Sequence, residues 1–116
     1  MRTILLLEDD DAIREVIHLI LEEENYNVVS FSTVAEFSSR DENINADLFL
    51  LDVMLPDGSG LDVCEQIKSV SNTPVLVMSA HATLKDIESK CVPSNFIQKP
   101  FDIENLLRQV KAHVAK

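Results

Sequence analysis

The chain is poor in basic charge. Ten Lys and Arg stand against 20 Asp and Glu over 116 residues, a formal net charge of −10. Nonspecific nucleic-acid binding works by neutralising phosphates with cations, so this balance argues against direct contact with DNA or RNA. It argues equally against adsorption to an anionic membrane surface. There are two cysteines, Cys64 and Cys91, which make neither a disulfide framework nor a metal knuckle. Long apolar runs are missing as well: 4–7 and 48–51 are far too short to span a membrane, and the first is too short for a secretory signal. Glycine is equally scarce, with only Gly58 and Gly60. No glycine-rich loop therefore follows the first apolar run, where a nucleotide or flavin carrier needs one to cradle phosphate. What remains is 46% apolar, an ordinary composition for one soluble, cytoplasmic domain spanning 1–116.

Short apolar runs alternate with segments of helical period. Ile4-Leu5-Leu6-Leu7 is continuous rather than alternating, as in a strand covered on both faces. Ile13, Val16, Ile17, Ile20 and Leu21 then share one helical face, with Asp10 or Asp11 placed to cap it. Residues 27–31 read as a second strand, and Thr33-Val34-Ala35-Glu36 is a capping box that starts a second helix. A polar loop at 41–46 leads to a third buried strand at 48–51, ending on Asp52. Pro56-Asp57-Gly58-Ser59-Gly60 is the strongest turn signal, and a helix follows through Leu61, Val63, Cys64 and Ile67. The fourth strand, 75–78, ends on Ser79. A short helix at 83–90 stops before Pro93, and Phe96 and Ile97 form a fifth strand ending at Lys99-Pro100. Asp102 caps a last helix carrying Ile103, Leu106, Leu107, Val110 and Val114 on one face. Five strands alternating with five helices give an α/β fold, an open parallel sheet covered on both sides. Ligands bind such sheets outside the carboxyl ends of the strands, where the strand order reverses.

The strand ends carry Glu8-Asp9-Asp10, Asp52, Ser79 and Lys99. Two carboxylates about 4 Å apart repel by roughly 4 kcal/mol at an effective dielectric near 20. Either some are protonated or a cation joins them. An all-oxygen set of this kind suits a hard octahedral cation, with Mg²⁺ the default. A carboxylate beside a metal, a lysine and a hydroxyl is also a plausible nucleophile towards phosphorus.

These residues carry a resemblance over essentially the whole length. The acidic doublet Glu8-Asp9, the segment Leu50-Leu51-Asp52-Val53-Met54-Leu55-Pro56-Asp57-Gly58-Ser59-Gly60, Ser79-Ala80 and Lys99-Pro100-Phe101 resemble the receiver domain of bacterial two-component response regulators. None of the four is decisive alone, but together and in order they are specific. The resemblance implies a flavodoxin-like, CheY-like doubly wound sheet of strand order 2-1-3-4-5. It implies that Asp52 accepts a phosphoryl group from a histidine kinase or phosphotransfer protein. Glu8, Asp9, Asp52 and the backbone carbonyl of Met54 would hold Mg²⁺. Lys99 would contact the phosphoryl oxygens ahead of a cis bond to Pro100, Ser79 would be the switch hydroxyl, and Phe96 the switch aromatic. The partners implied are the kinase, a downstream output domain or protein, and a second copy in a homodimer on phosphorylation. The switching surface would be the fourth helix, fifth strand and fifth helix, near Ile87, Phe96 and Ile103.

The sequence departs from the family between Ser79 and Lys99, a stretch shorter than usual that implies a stunted fourth helix. Val92-Pro93 replaces the usual Gly-Ala, and Ser94-Asn95 the acids that often follow. Both changes fall on the surface many receivers use for dimerisation and output. Each site residue also has a plainer reading: Asp52 as a polar strand end, Glu8 and Asp9 as loop acids, Ser79 as a local cap, Lys99 as a surface lysine, Phe96 as core. His18 and His113 read as exposed helix residues, and His81 as a loop histidine or a neighbour of the site. Cys64 reads as inert core and Cys91 as exposed and without a role. The competing function is a phosphatase or phosphotransferase that uses an aspartyl nucleophile on external substrates. Such enzymes usually carry a second acid two residues after the nucleophile, where this chain has Met54.

Overall fold

The continuous apolar runs become central strands because both of their faces are covered. A computed structural model describes residues 1–80, 91 and 93–114. Its elements are β1 (Thr3–Leu7), α1 (Asp11–Glu23), β2 (Asn27–Phe31), α2 (Val34–Ser38), β3 (Leu48–Asp52), β4 (Met54–Leu55), β5 (Gly58–Ser59), α3 (Gly60–Val70), β6 (Val75–Ser79), β7 (Asn95–Gln98) and α4 (Ile103–Val114). The main sheet is parallel, in the order β2-β1-β3-β6-β7. Leaving out the two-residue hairpin β4–β5, this is the expected order 2-1-3-4-5. Among the described residues there are four helices. The expected helix at 83–90, with Ile87, lies outside the described residues, as do His81 and Val92.

Strand residues alternate between two cores. Leu5, Leu7, Phe49, Leu51, Val75 and Val77 pack with Phe37 of α2 and Val63, Cys64 and Ile67 of α3. Ile4, Leu6, Leu48, Leu50, Leu76 and Met78 pack with Ile17 and Leu21 of α1 and Leu106, Val110 and Val114 of α4. Each such side chain, taken fully out of water, stabilises the fold by roughly 1.5–3 kcal/mol. Val16 and Ile103, expected on the apolar faces of their helices, are instead about half exposed.

Local signals set the helix ends. Asp10 Oδ1 accepts the Ile13 N–H at 3.0 Å and caps α1. At the other end Asn25 adopts a left-handed backbone, φ 68°, that lets the chain turn into β2. Thr33 Oγ1 accepts the Glu36 N–H at 3.0 Å, half of the expected capping box. The return arm goes one residue further out, from Glu36 Oε1 to the N–H of Ser32 at 2.8 Å. The polar loop at 41–46 then leads into the amino end of β3, with Glu42 and Asn43 exposed.

Three expectations are corrected. Cys64 and Cys91 are joined in a disulfide with a Cα–Cα distance of 6.2 Å, where Cys64 had read as inert and Cys91 as exposed. Both are buried in the same core. The topology closes 27 residues of sequence into one contact, which spacing alone does not reveal. The histidines of α1 and α4 are half-buried rather than exposed: His18 Nδ1 lies 2.5 Å from Ser30 Oγ, and His113 Nδ1 lies 2.8 Å from the Gln109 carbonyl oxygen.

Candidate functional site

The strand order reverses between β1 and β3, where Glu8, Asp9 and Asp52 lie at the carboxyl ends, with Ser79 and Lys99 at those of β6 and β7. Glu8 directly follows β1 and extends its ladder, its N–H donating to the Phe31 carbonyl at 3.0 Å. Its side chain is fully buried. One carboxylate oxygen, Oε2, accepts the Asp10 N–H at 3.1 Å. The other, Oε1, lies 2.5 Å from Lys99 Nζ. Arg14 reaches back from α1 and donates to the carbonyls of Glu8 (3.0 Å) and Asp9 (3.4 Å), fixing the turn that carries both acids.

Asp52 ends β3 and is also buried. Its Oδ2 lies 3.3 Å from Lys99 Nζ, so one ammonium bridges two carboxylates from different strands. Lys99 follows β7, held there by its N–H donating to the Ser79 carbonyl at 2.9 Å, ahead of a cis Lys99–Pro100 bond. Glu8, Asp9 and Asp52 each present a carboxylate oxygen within 4.8 Å of the others. With Asp10, Ile13, Met54, Ala80 and Lys99 they line an open cleft of about 330 Å³. Ser79, one residue before Ala80, is buried at the end of β6. Phe96 is half-buried in β7 beside Val77, packed against the core that holds both cysteines.

The electrostatics follow from burial. Loss of water pushes the Asp52 carboxyl up, and the neighbouring Glu8 charge adds to it. Lys99 opposes both, and the balance places Asp52 at about 7 instead of 3.8. Burial alone would lower the Lys99 ammonium, but its hydrogen bond to Glu8 and the charges of Asp52 and Glu8 outweigh this and hold it above the ordinary lysine value.

Two residues that sequence reasoning had treated only as turn formers shape the segment after Asp52. A Cβ on Gly60 would lie 1.9 Å from the Asp52 carbonyl oxygen, so only glycine permits this approach. The Gly60 N–H donates to the Val53 carbonyl at 2.8 Å. Asp57 projects from the β4–β5 turn, and its carboxylate accepts the N–H groups of Val34 (2.8 Å) and Ala35 (3.0 Å) at the start of α2. These hydrogen bonds hold its carboxyl below the usual range. The turn signal gave Gly60 away in part; nothing local pointed to the Asp57 bond, whose partners lie more than 20 residues earlier.

A doubly wound parallel sheet with an acidic cleft and a bridging lysine at its switch point defines a receiver-type signalling domain. The chain belongs to the response regulator receiver domain family, whose model matches residues 4–111. It is 36% identical over 115 residues to the response regulator ArlR of Staphylococcus saprophyticus, an alignment covering 97% of this chain and 52% of that protein. The chain thus spans about half the length of the curated relatives it matches. Among solved structures, it is similar to a CheY-like receiver domain protein from Methanospirillum hungatei, with TM-score 0.90 and 28% identity, covering 99% of this chain and 94% of that one. It is also similar to the response regulator TrrA from Thermotoga maritima, solved in complex with Mg²⁺-BeF, with TM-score 0.84 and 26% identity, covering 97% and 98%. The chain is therefore a response regulator receiver domain, a component of two-component signalling. Among the described residues, no helix is long and apolar enough to cross a membrane.

Proposed function

We propose that Asp52 is the phosphoacceptor of this receiver and that a histidine kinase or phosphotransfer protein is its donor. The observation that carries the reading is the bridging of Glu8 and Asp52 by Lys99 at the switch-point cleft. In the transfer, an Asp52 carboxylate oxygen forms a bond to phosphorus as the donor's histidine nitrogen–phosphorus bond breaks, and the electron pair leaves with the imidazole. Lys99 loses part of its hold on the carboxylates and pairs with the incoming phosphoryl oxygens. Ser79 donates its hydroxyl to one of those oxygens in the active arrangement, and Phe96 follows inward. The surface of β7 and α4 around Phe96 and Ile103 then changes and controls output.

The donor set fits Mg²⁺: three carboxylates converge at the cleft, all oxygen donors, with Asp9 exposed on the solvent side. The backbone carbonyl of Met54 is the fourth protein ligand in this reading. Bound there, the cation offsets the clustered negative charge and spreads that of the transferring phosphoryl group. The Mg²⁺-BeF complex of the Thermotoga maritima relative supports this assignment.

The protein is read as a signalling phosphoacceptor rather than an enzyme acting on external substrates; Met54, exposed at the position of a second acid, offers no proton. We place it in the cytoplasm, acting through a downstream output domain or protein, with pairing to a second copy on phosphorylation. The domain itself makes no direct nucleic-acid or membrane contact in this reading. The test is Mg²⁺-dependent labelling by a small acyl phosphate, expected to vanish in Asp52→Asn. Persistent labelling of that variant would overturn the assignment, and turnover of an added phosphomonoester would favour the enzymatic alternative.

A further inference from the structure

The disulfide stands outside the phosphoacceptor chemistry, and its position gives it a use. Cys64 lies on α3, the helix that begins at Gly60 against the Asp52 backbone. Cys91 lies four residues before β7, the strand that carries Phe96 and leads to Lys99. The bond therefore ties the strand leading to the lysine of the site to the helix that follows its aspartate. Both sulfurs sit in the core against which Phe96 packs. In a cytoplasmic protein a disulfide is not held closed by the compartment; glutathione and thioredoxin pools favour thiols, and such bonds serve as reversible sensors.

We propose that Cys64 and Cys91 form a reversible thiol–disulfide pair whose closure fastens β7 to α3 and restrains the receiver from switching. Closure consumes a small-molecule disulfide such as oxidised glutathione. One protein thiolate attacks it, forming a mixed disulfide and expelling one small thiol. The second protein thiolate then attacks the mixed disulfide, forming the Cys64–Cys91 bond and expelling the other. Two electrons pass from the cysteines to the small disulfide, and their two protons end on the released thiols. The restraint on switching rests on the phosphoacceptor reading; the thiol chemistry does not.

The test equilibrates the folded protein in glutathione buffers from fully reduced to fully oxidised, then alkylates and weighs it. Both thiols are expected to appear and vanish together in one transition, and Cys64→Ser to form no internal bond. A pair that stays closed or stays open at every ratio in the folded protein overturns the proposal. Amide exchange at Asn95–Gln98 is expected to be severalfold slower in the disulfide form; equal exchange overturns the fastening. With Mg²⁺ present, beryllofluoride is expected to bind the disulfide form severalfold more weakly, and Cys64→Ser equally under both conditions. Equal binding by the two wild-type forms overturns the restraint on switching. Failure of both forms to bind overturns the phosphoacceptor reading instead, while thiol titration and amide exchange still decide the pair.

Discussion

Gly60 approaches the Asp52 backbone so closely that a single added carbon would lie 1.9 Å from the Asp52 carbonyl oxygen. Backbone cannot yield as the end of a flexible side chain can. Gly60→Ala is therefore expected to push the Asp52–Val53 peptide away from α3, at a cost of about 1–3 kcal/mol. Urea unfolding measures that loss, and acyl-phosphate labelling should fall by roughly tenfold or more as the carboxylate is misplaced. A variant as stable and as readily labelled as the wild type would show that the approach can relax freely.

Lys99 holds two buried carboxylates, and removing it leaves Glu8 enclosed without its cation. Lys99→Met is expected to destabilise the domain by about 3 kcal/mol, the scale of breaking a buried pair from one side. Adding Glu8→Gln to that variant should recover part of the loss, because the uncompensated charge is then gone. The comparison is made by denaturant unfolding without divalent cations. Additive losses in the double variant would contradict the pairing.

Asp52 supplies a pH signature. Its folded carboxyl titrates at about 7, above the ordinary 3.8, so the folded state holds a proton that the unfolded state has released across this interval. Stability contributed by this group is thus full below about pH 4, declines as pH rises, and is gone above about pH 7. Other carboxylates slope the opposite way, so the measurement is a difference. With a chelator present, the stability of Asp52→Asn relative to wild type should grow from pH 4 to 7 and level off beyond. A flat difference would mean that Asp52 titrates normally.

The Asp57 carboxylate contributes in the reverse sense. Its depressed pKa means that its hold on Val34 and Ala35 is present at neutral pH and fades as pH falls through the folded value. Asp57→Ala should speed amide exchange at the start of α2 at neutral pH and lower the urea midpoint. At strongly acid pH the variant and the wild type should converge.

The parts of the molecule legible in the sequence were those with a local signature. Ile4-Leu5-Leu6-Leu7 and Leu48-Phe49-Leu50-Leu51 read as buried strands because apolar continuity reports cover on both faces. Glu8 and Asp52 stood out because each directly ends or follows such a strand, and Lys99 because it follows the short strand ahead of Pro100. The hairpin Met54–Leu55 with Gly58–Ser59 escaped notice, since two-residue strands carry no periodicity. The Cys64–Cys91 bond and the Asp57 cap of α2 escaped for another reason. Each joins residues more than 20 positions apart on elements that only the folded topology brings together, and neither partner looks unusual where it stands in the chain.

The loop at 41–46 offers an experimental handle. It enters β3 at Leu48, at the opposite edge of the sheet from Asp52, and four steps of strand at roughly 3.3 Å each separate the two ends by about 13 Å. Glu42 and Asn43 are exposed there. A fluorophore or epitope grafted at these two positions would report on the domain from the amino end of β3, away from the carboxyl end that carries Asp52.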